Sequence, residues 1–181
     1  MDTEAVADET LMSRLAQGDM AALDALVRRH QQGVAGFAFR MLGRWDAAED
    51  VAQDAFLHVH RAASRYQPDA KFTTWLYRIV VNLCHDVGRR ARRAPAQLSE
   101  ESAPGQEPAR DPLEARERAE RVRRAVGALP DRQRTAVILH RYQGLSHREV
   151  AQATGWSESA VESLIVRAYA TLRKELADLR E

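Results

Sequence analysis

The chain has 181 residues, 45% of them hydrophobic and 29% charged, with 27 Lys and Arg set against 26 Asp and Glu. That length holds one domain or two small ones and excludes a large catalytic scaffold; the apolar share excludes disorder throughout. The single cysteine, Cys84, excludes a disulfide framework or a Cys-rich zinc site and fits a reducing compartment.

Taken in chain order, the opening MDTEAVADETLMSRLAQGD has no basic start followed by an apolar run, so no signal peptide is expected. Nor does any stretch approach the roughly 18 uninterrupted apolar residues of a membrane span. Leu23, Leu26, Val27, Val34, Phe37, Ala38 and Met41 keep the three-and-four spacing of one helix face. Asp46 with Glu49 resembles a capping box in which Asp replaces Ser or Thr. Behind it Ala48, Val51, Ala52, Ala55, Phe56, Val59 and Ala62 make a second apolar face. Pro68 breaks the chain, and Phe72, Leu76, Ile79, Val80, Leu83 and Val87 make a third. Residues 95–113 carry four of the six prolines and little that could be buried, which reads as a flexible linker.

Beyond the linker, Val122, Ala125, Val126 and Leu129 lie on a helix that stops by Pro130, and another runs from about Asp131 to Tyr142. Ser146 and Glu149 form a capping box, Gly155 ends that short helix, and Ser157 caps the next. The last helix buries Val161, Leu164, Ile165, Ala168 and Leu172. Helix, glycine turn and helix within about 25 residues is the helix-turn-helix signature. No segment alternates apolar and polar residues as a strand would, so the expected fold is all-α. It has two small helical domains, 1–94 and 114–181, joined by the flexible linker 95–113. The charge follows the same division: net −4 over 1–23, +5 over 24–94, −3 over 95–113 and +3 over 114–181. Two basic modules are thus joined by an acidic tether.

The faces turned away from the apolar stripes carry the functional signal. Trp75, Arg78, Asn82, His85 and Arg89 recur at spacings of three and four and run on into Arg90, Arg92 and Arg93. Cationic, amide and aromatic groups on one stripe suit phosphates and unstacked bases of opened DNA. On the preceding helix Asp50, Asp54, Leu57 and Arg61 align, with Gln53 beside them, as a face for a protein partner. In the second module the outward residues are Glu158, Ser159, Glu162, Ser163 and Arg167, with Arg148 on the first helix placed to hold a phosphate.

Catalytic chemistry finds little support. No glycine-rich phosphate loop is present, and His58 and His60 diverge on a helix. His85-Asp86 suggests a metal phosphohydrolase, but no upstream His and downstream Asp are placed to complete such a site. No catalytic residues, metal or cofactor are therefore expected. A stand-alone helix-turn-helix regulator is the alternative reading, and it leaves the first module without a purpose.

The runs AAEDVAQDAFLHVHRA, FTTWLYRIVVNLCHDVGRR and LPDRQRTAVILHRYQGLSHREVAQATGWSESAVESLIVRAYATLRK, led by LMSRLAQGDMAALDALVRRHQQGV, resemble the extracytoplasmic-function (ECF) group of bacterial RNA polymerase sigma factors. The resemblance covers nearly the whole chain outside the linker and the extreme N-terminus. It implies a cytoplasmic, non-enzymatic protein that binds core RNA polymerase and directs promoter-specific initiation. Asp50, Gln53, Asp54, Leu57 and Arg61 would then bind a coiled coil of the largest polymerase subunit. Trp75, Arg78, Asn82, His85 and Arg89 would read and open the minus-ten element, and the loop Tyr66–Lys71 would capture a flipped base. Arg148, Ser157, Ser159, Ala160, Glu162, Ser163 and Arg167 would read the minus-thirty-five element on a domain that also touches the polymerase flap. A separate anti-sigma protein would regulate the chain. Members of the family often carry Lys or Arg where this chain has Glu162 and Leu164, which bears on the sequence read rather than on the role. The tether is long enough for neighbouring elements: residues 95–112 reach at most about 60 Å extended, against about 34 Å for one DNA turn.

Overall fold

The computed structural model describes residues 6–91 and 112–180. Arg92, Arg93 and the acidic linker up to residue 111 lie outside the described residues. Eight helices account for nearly all of these residues, and among them there is no strand.

Helix α1 (Asp8–Ala16) buries Leu11, Met12 and Leu15. It leads through Gly18 into α2 (Met20–Leu42), whose first turn is capped by Asp19 accepting from the amide of Ala21 at 3.0 Å. Gly43 ends α2 at φ 75°, the left-handed conformation that glycine adopts without a steric penalty. Helix α3 (Trp45–Ala62) begins one residue before the capping box read from the sequence, and that box does not form. Arg44 sits at the cap and its guanidinium takes the Asp46 carboxylate, while Glu49 accepts from the Trp45 indole at 3.0 Å. Both acids read as capping groups are thus engaged by neighbouring side chains.

After a short turn, α4 (Phe72–Ala91) starts where the Glu9 carboxylate accepts the Phe72 amide at 2.9 Å, so α1 supplies the cap of a helix 63 residues away. Phe37, Phe72, Leu26, Leu76, Val34, Val51, Val59 and Val80 are fully buried or nearly so at the centre of this bundle. They are the apolar positions that the three-and-four spacing selected.

The second module opens with α5 (Pro112–Gly127), whose first residues fall within the segment read as linker. Pro130 precedes α6 (Asp131–Val137), which continues into a wider π-helical turn over Ile138–Tyr142. Helix α7 (His147–Thr154) has the full capping box: Ser146 Oγ accepts from Glu149 N, and the Glu149 carboxylate accepts from Ser146 N at 2.8 Å. Gly155 follows at φ 74°, and Ser157 Oγ accepts from Ala160 N to start α8 (Glu158–Glu175). Ile138, Leu139, Val150, Val161 and Ala168 form the core here.

The two modules are packed together. Tyr77 of α4 donates its hydroxyl to Gln143 Oε1 at 2.5 Å, and Gln143 Nε2 donates to the Gly33 carbonyl at 3.3 Å. Arg40 lies 4.3 Å over the Tyr142 ring, and Thr135 Oγ1 donates to Met41 Sδ at 3.6 Å.

Candidate nucleic-acid interface

Three outward faces carry the residues singled out in the sequence. On α3, Asp50, Gln53, Asp54, Leu57 and Arg61 are all exposed, and Leu57, at 48% exposure, stands as a large apolar side chain among polar neighbours. The face is produced by α3 turning Val51, Ala55, Phe56 and Val59 toward α2 and α4, which leaves the alternate positions outside.

On α4, Arg78, Asn82 and Arg89 are exposed along one flank, opposite buried Phe72, Leu76 and Val80. His85 is half-buried on the same flank, and Asp86 accepts from Arg89 at 2.8 Å. Trp75 is half-buried: its ring meets Tyr66 edge-on at 5.1 Å and lies 6.0 Å from Phe72. Tyr66 is itself stacked edge-on to Phe72 at 6.4 Å, so the loop from Tyr66 to Lys71 leaves an aromatic cluster at the start of α4. The Tyr66 hydroxyl is buried with no hydrogen-bond partner among the described residues. Burial, followed by the charges of Glu9 and Asp8, raises its pKa. Lys71 leaves the same loop and pairs with Glu149 at 2.9 Å.

On α8, Ser159, Glu162, Ser163 and Arg167 are exposed, with Arg148 exposed on α7 and Ala160 half-buried. The Ser157 hydroxyl is engaged as the helix cap, so what this end of α8 offers a phosphate is its first free amides. Leu164 turns inward at 8% exposure and belongs to the core. Two features of the site escaped the sequence reading. Val166 is 62% exposed in the middle of the α8 stripe, three residues beyond Ser163 and on the same face. Arg78 donates to the Gln152 carbonyl of α7 at 2.6 and 3.2 Å, a contact between modules that no local spacing encodes.

The electrostatics follow the same contacts. The Lys71 ammonium, with help from the amide and hydroxyl of Ser146, holds the Glu149 carboxyl down at about 2. Burial pushes the Cys84 thiol up to about 12. Among the described residues no cluster of three His, Cys, Asp or Glu is placed to hold a metal, and no helix is long and apolar enough to cross a membrane.

Comparison with known proteins separates the same two halves. Sigma-70 region 2 matches residues 26–94, and sigma-70 region 4 matches residues 119–172. The RNA polymerase sigma-H factor of Pseudomonas aeruginosa is 33% identical, over 95% of this chain and 95% of its own. The ECF RNA polymerase sigma factor SigM of Mycobacterium tuberculosis is 37% identical, over 95% of this chain and 86% of its own. The solved structure of CnrH in complex with the cytosolic domain of CnrY is similar at a TM-score of 0.75 and 30% identity. That likeness spans 96% of this chain and 99% of the other.

Proposed function

The chain belongs to the ECF group of RNA polymerase sigma factors, and from that premise we propose how its three faces divide the work of promoter recognition. As a sigma factor it binds core RNA polymerase and directs initiation at specific promoters. The α3 face of Asp50, Gln53, Asp54, Leu57 and Arg61 docks on the polymerase. Exposed carboxylates around Leu57 suit a basic helical partner with an apolar centre.

The α4 flank reads the minus-ten element. Arg78 and Arg89 hold phosphates, Asn82 meets a base edge, and the Tyr66–Trp75 cluster receives an unstacked base. The α8 face reads the minus-thirty-five duplex through the major groove: Arg148 and the α8 amides position the helix, and Ser159, Ala160, Glu162, Ser163 and Arg167 face the bases. Glu162 repels phosphate but accepts from a cytosine amine, and exposed Val166 fits a thymine methyl. The domains run 1–94 and 114–181, joined through 95–113. The protein acts in the cytoplasm by binding rather than by catalysis, and an anti-sigma protein restrains it; the similar CnrH was solved in complex with the cytosolic domain of CnrY.

One observation carries this reading above the rest: Arg78, Asn82 and Arg89 stand exposed in a row beside the aromatic cluster instead of being folded into the core. The docking face is tested by Asp54→Arg. The variant is expected to keep its helicity and lose at least tenfold in co-purification with core polymerase, since one charge of a complementary interface is reversed. Undiminished co-purification would remove α3 from the docking assignment.

A further inference from the structure

The loop that would receive an unstacked base runs from Tyr66 to the start of α4. Gln67, Pro68 and Asp69 are exposed, so its path is fixed at its two ends. Tyr66 is held by its ring contacts with Phe72 and Trp75, its hydroxyl having no hydrogen-bond partner among the described residues. Phe72 is held by Glu9 of α1, whose Oε1 accepts the Phe72 amide at 2.9 Å. That amide opens α4 and has no carbonyl four residues back within the helix, so the carboxylate supplies the missing acceptor.

Glu9 is itself fixed in place. Its neighbour Asp8 accepts from His30 Nε2 at 2.8 Å and from the Arg29 guanidinium, and Arg29 also donates to the Val6 carbonyl at 3.0 Å. The first turn of α1 is thus strapped to α2, while Leu11, Met12 and Leu15 anchor the rest of the helix in the core. The His30 ring lies 5.3 Å from the Phe72 ring, so one residue of α2 meets both the strap and the start of α4. After burial, it is the charges of Glu9 and Asp8 that raise the pKa of Tyr66, which puts both carboxylates beside the other end of the loop. Carboxylates repel phosphate, yet these two stand half-buried next to a face that reads DNA. Their placement is accounted for by what they hold. Trp75 lies in the first turn of α4, and its ring is 5.1 Å from that of Tyr66. If that turn frays, the two rings lose their spacing, and ordering them again costs part of the energy of capture.

We propose that Glu9 is a positioning residue for base capture: held by the Asp8 strap, it fixes the first turn of α4 so that Tyr66 and Trp75 offer a preformed slot to a base unstacked from the minus-ten element. Glu9 itself does not touch the DNA. The proposal rests on the reading of the Tyr66–Trp75 cluster as the base-capture site.

The test uses holoenzyme assembled from the full chain and core polymerase. It transcribes a promoter library randomised at both elements, and the transcripts are sequenced. Tyr66→Leu keeps apolar bulk and removes the aromatic plane, so the captured position is the one whose base preference this variant flattens. Two conservative variants then separate reach from charge. Glu9→Asp keeps the charge and withdraws the oxygens by one methylene; Glu9→Gln loses the charge and keeps an acceptor at the same reach. Circular dichroism and co-purification with core polymerase verify that each variant is folded. Glu9→Asp is expected to weaken the preference at the captured position about tenfold, the scale of losing one charge-assisted hydrogen bond, with the other minus-ten positions and the minus-thirty-five profile as in the wild type. Glu9→Gln is expected to retain most of the preference. Asp8→Asn, which loosens the strap and leaves Glu9 intact, should move the same position in the same direction. Full preference in Glu9→Asp at a position that Tyr66→Leu flattens overturns the positioning role alone. So does a loss spread evenly over all positions, or a loss in Glu9→Gln that Glu9→Asp escapes. A Tyr66→Leu profile identical to the wild type overturns the base-capture reading, and the proposal with it.

Discussion

Tyr66 shows how much one side chain of the reading face gives up in the free chain. Its ring is packed edge-on against Phe72 and Trp75, and its hydroxyl is buried with no partner among the described residues. A buried hydroxyl without a hydrogen bond costs about 1–3 kcal/mol, while the ring beneath it contributes packing. Tyr66→Phe is therefore expected to raise stability by about 1 kcal/mol, read as a thermal midpoint higher by a few degrees. A lower midpoint would show that the hydroxyl is engaged. Leu57 presents the reverse case. It is a large apolar side chain left 48% exposed among carboxylates, as the docking face proposed for α3 requires.

At the scale of helices, Glu149 serves two elements at once. It closes the capping box of α7 and pairs with Lys71 at the start of α4, and its pKa is held at about 2 against an ordinary value of 4.5. A carboxyl depressed on folding stabilises the protein fully above its unfolded pKa, and that contribution disappears as pH falls through the folded value. Wild-type stability should thus lose the Glu149 contribution between about pH 4.5 and 2. The Glu149→Gln variant is expected to lose less over the same window, measured as the difference in melting temperature between the two chains. Equal pH slopes would mean that Lys71 and Glu149 are not coupled. Which helices could be foreseen follows from how local their causes are. The repeats of α2, α3, α4 and α8 were legible because each buries a stripe at helical spacing, and Ser146, Gly155 and Ser157 marked their helix ends through side chains or φ values that act within a few residues. Helix α1 was not, because three apolar residues make too short a stripe and its role depends on Glu9 reaching Phe72. The cap expected at Asp46 failed because Arg44, two residues earlier, captures the carboxylate.

In the whole molecule, the outward faces of α3, α4 and α8 were legible for the same reason as the cores: a helix that buries one stripe must show the other. The packing of the modules was not. Arg78 and Gln152 are 74 residues apart, and Tyr77 and Gln143 are 66 apart, so no periodicity connects them. The reading from sequence of two tethered modules leaves their relation open, and the structure places α7 of one against the start of α4 of the other. Two readers on one chain can be assigned separately only if each sets the preference at its own promoter element. Transcription by core polymerase from a library randomised at the minus-ten and minus-thirty-five positions, with transcripts sequenced, measures both preferences in one reaction. Asn82→Ala is expected to change the minus-ten profile and leave the minus-thirty-five profile as in the wild type, and Arg167→Ala to do the opposite. Profiles identical to wild type in both variants, or shifts at the wrong element, would contradict the division of labour between α4 and α8.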